Sequence, residues 1–189
     1  MGLIKIVLSQ KSKDQTVFTL ADLSMLVGYN GPKLRSALKY AVSRGDLVRI
    51  TRGIYALNSK YFVWEFGNKY RRPSYVSFYS VLFGSGVVFQ PYTSVFLASK
   101  RSEVVEVNGQ KYIYRKIKDE ILLNTLGVIV RDGVARATIE RAICDKLYLD
   151  GEEYFDNLRS VDWKLMEKLN GEVYQNSRII GEYIRKCKS

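Results

Sequence analysis

The chain has 189 residues, 47% hydrophobic and 26% charged, which suits one large domain or two small ones with a real core. It carries 30 Lys/Arg against 19 Asp/Glu, net +11, and its lack of histidine excludes imidazole general bases, Ser-His triads and His-containing zinc sites. Two cysteines, Cys144 and Cys187, are too few for a disulfide framework and point to a reducing, cytoplasmic setting. No apolar run approaches the roughly 20 residues that span a bilayer, and the first residues show neither a myristoylation nor a cleavable signal pattern, so no membrane partner is expected. The charge is uneven: residues 1–60 hold ten Lys/Arg and three acids, net +7, and residues 61–189 hold twenty and sixteen, net +4. A basic first third is the electrostatic footprint of nucleic-acid binding.

Leu3 to Leu8 predicts a short first helix with Leu3, Ile4, Val7 and Leu8 facing inward. Leu20, Leu23, Leu26 and Val27 recur at helical spacing behind Thr19, an N-cap residue, and Gly28 ends that helix. After Tyr29-Asn30-Gly31-Pro32 a second helix puts Leu34, Ala37, Leu38, Ala41 and Val42 on one face. Lys33, Arg35, Ser36, Lys39, Tyr40 and Ser43 then face outward, with no acid among them. The strand-turn-strand run Leu47 to Leu57 follows, with Val48, Ile50 and Ile54 inward, Arg49 and Arg52 outward, and a Thr51-Arg52-Gly53 tip. This order predicts a winged helix-turn-helix, whose second helix enters the major groove of double-stranded DNA while a basic wing holds the backbone. The candidate DNA contacts are Lys33, Arg35, Ser36, Lys39, Tyr40, Ser43, Arg49, Thr51 and Arg52. A merely solvated basic face is the bland alternative. Three coincident features weigh against it: helix spacing, the adjoining hairpin, and cations on both elements.

A first domain over 1–60 is expected, then an α+β domain over 61–189 that begins with an aromatic connector helix over 61–72. In the second domain Ser77 should cap a short helix through Leu82, a Gly84-Ser85-Gly86 break should follow, and Thr93 to Ala98 should be a strand. Hairpins are expected across Asn108-Gly109 and Asp132-Gly133, which makes the β region mostly antiparallel. Thr138 should cap a helix with Ile139, Ala142, Ile143 and Leu147 on its apolar face, and further helices are expected near Tyr154 to Leu158, Trp163 to Leu169 and Ser177 to Lys186.

Three segments carry a family resemblance: Arg52-Gly53-Ile54-Tyr55, then Tyr75-Val76-Ser77-Phe78-Tyr79-Ser80-Val81-Leu82, then Thr138-Ile139-Glu140-Arg141-Ala142-Ile143-Cys144-Asp145. In that order they resemble the abortive-infection antitoxin family AbiEi over roughly residues 14 to 150. The chain departs from the family pattern at Ser80 and Phe83-Gly84, where an Ala and a His-Gly pair are common. The resemblance implies an antitoxin that represses its own operon by binding inverted repeats, with a C-terminal domain that counteracts a nucleotidyltransferase toxin. It names no toxin-neutralising residue. Glu140, Arg141 and Asp145 could equally pair along the helix surface or anchor the helix to the sheet.

Two other functions fit parts of the sequence. A stand-alone regulator could sense an effector in a pocket lined by Tyr75, Tyr79, Phe89 and Tyr92, although such aromatics more often build core. A metal-dependent nuclease could use Asp162-Trp163-Lys164, but that short acid-x-Lys pattern falls in an expected helix and lacks a preceding strand. No Gly-rich phosphate loop followed by Lys-Ser/Thr is present. No enzyme activity, cofactor or metal is therefore expected.

Overall fold

The computed structural model describes residues 2–188 and is an α+β protein of two compact units, the first ending at Tyr70 and the second starting at Arg71. The first unit runs α1 (Leu3–Gln10), β1 (Val17–Thr19), α2 (Leu20–Val27), α3 (Gly31–Ser43), β2 (Val48–Thr51), β3 (Ile54–Ala56) and α4 (Val63–Tyr70). Val7 of α1, Leu23 and Val27 of α2, and Leu34, Leu38 and Ala41 of α3 meet Phe18 and Leu47 in one core. Leu8, expected in that core, is exposed. β1, unforeseen in the sequence, pairs antiparallel with β3, and the three strands lie in the order β1-β3-β2.

Each boundary has a local cause. Thr19 accepts the Asp22 N–H through its hydroxyl while the Asp22 carboxylate accepts the Thr19 N–H, a capping box that starts α2 directly from β1. Gly28 ends α2 in the left-handed conformation at φ 68°. Pro32 sits in the first turn of α3, where its missing N–H costs nothing.

α4 belongs to the first unit, so the division falls ten residues later than the expected one after residue 60. The reason is polar. The buried Glu65 carboxylate accepts the Thr16 N–H (2.9 Å), the Thr16 hydroxyl (2.7 Å) and the Val17 N–H (3.0 Å). Lys69 lies 3.0 Å from Glu65 and 3.1 Å from Asp22 and donates to the Val17 carbonyl. One turn of α4 thus fastens β1 and the start of α2. Burial pushes the Asp22 carboxyl up, but its hydrogen bond from Thr19 and the Lys69 charge outweigh that and hold it below the usual range.

The second unit contains β4 (Ser74–Val76), α5 (Tyr79–Gly84), β5 (Val95–Ser99), β6 (Glu103–Val107), β7 (Gln110–Lys116) and α6 (Asp119–Leu122). It continues with β8 (Val128–Arg131), β9 (Val134–Ala137), α7 (Ile139–Asp150), α8 (Trp163–Glu172) and α9 (Arg178–Lys188). Its six strands lie in the order β6-β7-β5-β4-β9-β8. Both expected hairpins form, and Asn108-Gly109 and Asp132-Gly133 take the paired positive φ values that a tight two-residue turn needs. The sheet as a whole is mixed, because β5 pairs parallel with β7 and β4 parallel with β9.

Two expected local features differ. Ser77 does not cap α5: its hydroxyl donates to Asp145 at 2.7 Å, and Phe78, at φ 53°, occupies the cap position. Residues 154–158 are not helical, because the Asp156 carboxylate accepts the Phe89 N–H (2.8 Å) and the Asn157 N–H donates to the Val87 carbonyl (3.1 Å). These bonds take up backbone that a helix would need. Among the described residues no helix is long and apolar enough to cross a membrane.

Candidate nucleic-acid interface

α3 buries Leu34, Leu38 and Ala41 and exposes Lys33, Arg35, Ser36, Lys39, Tyr40 and Ser43, as its spacing requires. At 3.6 residues per turn the exposed arc divides into two strips. Arg35 and Lys39 lie along the edge nearer Leu38 and Val42, whereas Lys33, Ser36, Tyr40 and Ser43 lie further round.

The hairpin of β2 and β3 completes one wall of a cleft beside the first strip. Arg49 lies in β2 and Arg52 in the two-residue turn beyond it, so strand alternation alone does not relate the two side chains. The register of β2 also shifts between Arg49 and Thr51: Arg49 faces Tyr55, Thr51 faces Ile54, and Ile50 is the extra buried residue. Such a bulge re-aims the side chains around it. Arg49 and Arg52 line the same cleft of about 590 Å³ as Arg35 and Lys39. Its floor is apolar, built from Leu20, Leu38, Val42 and Tyr55, and no acid lines it. Among the described residues none of the four cations is ion-paired, and Arg49 makes only a 3.4 Å contact to the Thr51 carbonyl.

The tip of the hairpin is tied down. Only Arg52 and Gly53 lie between the paired Thr51 and Ile54, and Gly53, at φ 79°, offers its carbonyl to the Leu20 N–H at 3.0 Å. A Cβ at Gly53 would meet the Leu20 side chain at 3.6 Å. Thr51, half-buried beside this turn, is less accessible than its arginine neighbours.

The remaining expected contacts lie on the second strip. Ser43 donates to the Tyr40 carbonyl at 2.8 Å, and the Tyr40 hydroxyl accepts from Arg44 at 3.2 Å. Lys33 sits 4.1 Å from the centroid of the Tyr29 ring. Arg44, Tyr29, Tyr55 and Leu20 are not among the contacts expected from sequence. The i,i+4 spacing of Tyr40 and Arg44 was a readable signal, whereas the part of Leu20 and Tyr55 in the cleft depends on the fold.

In the second unit the suggested effector residues do not act as one group. Tyr75 is buried and donates its hydroxyl to Asp145, Tyr79 and Tyr92 stack with ring centroids 4.2 Å apart, and Phe89 is exposed. Asp162 caps α8 by accepting the Lys164 and Leu165 N–H groups. Glu140, Arg141 and Asp145 are buried rather than paired along the surface. Arg141 donates to the carbonyls of Ile121 (2.6 Å) and Leu126 (2.7 Å) and to the Tyr75 hydroxyl (3.0 Å). Asp145 accepts hydroxyls from Tyr75 (3.0 Å), Ser77 (2.7 Å) and Tyr174 (2.7 Å). Arg141 and Asp145 thus anchor α7 to Tyr75 of β4, while Glu140 accepts the Asp162 N–H ahead of α8 at 3.0 Å.

No model of a known protein family matches the chain, and no curated protein matches it.

Proposed function

We propose that the first unit is a winged helix-turn-helix that binds double-stranded DNA, and that the chain is an autoregulating antitoxin. The observation that carries the DNA half is the convergence of Arg35 and Lys39 from α3 with Arg49 and Arg52 from the hairpin on one acid-free cleft. The order of elements, α1-β1-α2-α3-β2-β3 with β3 between β1 and β2, supports it. α3 enters the major groove, where Ser36 and Tyr40 on its outer strip meet base edges, while Arg35 and Lys39 along its edge meet the rim of the groove or the backbone.

The antitoxin half rests on the motif resemblance alone. The α7 motif residues Arg141 and Asp145 are wholly buried, so they hold the second unit together and a toxin would be met elsewhere on it. The partner in this reading is a nucleotidyltransferase toxin, and the DNA is an inverted repeat upstream of the chain's own gene.

Fluorescence anisotropy on DNA from upstream of the gene, against scrambled DNA of equal length at two salt concentrations, tests the DNA half. Tighter binding to the upstream DNA that persists at the higher salt is expected. Equal binding to both DNAs, lost together as salt rises, would leave only an electrostatic face. Co-expression with a nucleotidyltransferase encoded beside the gene tests the other half by rescue of growth.

A further inference from the structure

We infer that the cleft between α3 and the β2–β3 hairpin clamps one sugar-phosphate strand of the duplex, and that the hairpin does not read the minor groove. The inference rests on the proposed binding of duplex DNA and specifies how its hairpin is used.

A hairpin that reads the minor groove must cross the backbone bordering the major groove, which calls for a free, projecting tip. Here the tip is two residues, Arg52-Gly53, beyond strands of four and three residues. At roughly 3.3 Å per residue that hairpin is about as long as the major groove is wide. Its end is also pinned, with the Gly53 carbonyl accepting the Leu20 N–H and the Leu20 side chain packed beneath the turn. The short, tied turn thus holds Arg52 in the lining of the cleft rather than on a projecting tip.

The cleft matches a backbone in chemistry on every side. Arg35 and Lys39 are one helical turn apart, with Cβ atoms about 6 Å from each other, on one wall. Arg49 from β2 and Arg52 from the turn stand on the other. Phosphates passing between the walls meet cations from both sides, and the guanidinium forks suit bidentate contact with their oxygens. Leu38, Val42 and Tyr55 on the floor suit the apolar faces of the sugars. The absence of acid in the lining leaves all four cations available to the strand.

The test uses the full chain and the upstream duplex, with pairs of uncharged methylphosphonate linkages walked along each strand and binding followed by anisotropy. The clamp requires the loss to concentrate at two or three consecutive linkages of one strand, where the pair weakens binding roughly tenfold. It also requires that R49A/R52A protein, already weaker and with a salt slope reduced by about two, lose little more when those same linkages are neutral. In a parallel series inosine replaces guanine at flanking pairs, which removes only the minor-groove amino group, and no change is expected. Loss spread evenly over both strands, or an inosine effect that vanishes in R52A protein, overturns the clamp and leaves major-groove binding standing. A wild-type chain that cannot tell the upstream duplex from scrambled DNA overturns the underlying reading, and the clamp with it.

Discussion

Asp150 closes α7 with two cations. Its carboxylate accepts both guanidinium nitrogens of Arg115, at 2.5 and 2.6 Å, and lies 2.8 Å from Lys146. The Arg115 bonds, aided by Lys146 and opposed by partial burial, hold its pKa at about 2. A carboxyl whose folded pKa lies below its unfolded value adds stability that is present above about pH 4 and is lost as pH falls towards 2. Unscreened, that shift is worth somewhat over 2 kcal/mol, and exposure of the pair reduces it to roughly 1 kcal/mol. Asp150→Asn should therefore lower stability by about 1 kcal/mol at pH 7 and flatten the loss between pH 4 and pH 2, as followed by urea unfolding at stepped pH. An unchanged acid limb would mean that the bridge contributes nothing. Asp145, on the same helix, is the opposite case, because complete burial pushes its carboxyl up despite Arg141 and three hydroxyl donors.

Among the elements, α4 shows how a charged turn can set a boundary. Glu65 serves Thr16, Val17 and Lys69 at once, so Glu65→Ala would leave two backbone N–H groups without their acceptor and a nearly buried ammonium with only Asp22 and the Val17 carbonyl. A cost of about 2 to 4 kcal/mol is expected. Hydrogen exchange should show faster exchange at Val17 and through α2, with the amides of β5 and β7 in the second unit unaffected. Uniform loss across both units, or none, would refute the anchoring role. None of this was legible in the sequence, where Tyr61, Phe62, Trp64 and Phe66 pointed to an aromatic connector helix and nothing local marked Glu65 as the partner of Thr16 and Val17. Elements held by local chemistry were legible: the Thr19 and Thr138 caps, the Gly28 stop and the two Xaa-Gly hairpins all form as read. Elements that depend on distant partners were not. β1 has three residues and no visible alternation, and it exists because β3 pairs with it. The parallel pairings of β4 with β9 and β5 with β7 leave no local mark, and neither does the register shift at Ile50. The candidate site was thus legible as a set of residues but not as a cleft.

Across the whole molecule the question is whether net charge or placed charge governs the proposed DNA binding. Through Tyr70 the chain holds eleven Lys/Arg and four acids, net +7, and the second unit holds nineteen and fifteen, net +4. Much of the second unit's charge is engaged in pairs such as Arg71–Glu103, Arg115–Asp150, Lys146–Glu153 and Lys188–Glu167. Exposed charges more than a Debye length from a phosphate, about 10 Å at 0.1 M salt, are largely screened from it. Two double variants separate the possibilities, because reversing two cations lowers the net charge by four in each, from +11 to +7. R35E/K39E places the reversal in the cleft, and K164E/K168E places it on exposed positions of α8. Placed charge predicts that the cleft variant loses binding by at least a hundredfold at 0.1 M salt, with like charge now facing phosphate, while the α8 variant stays within about threefold of the parent. Equal losses in the two variants, measured on the same duplex, would instead assign the affinity to net charge and remove the cleft from the account.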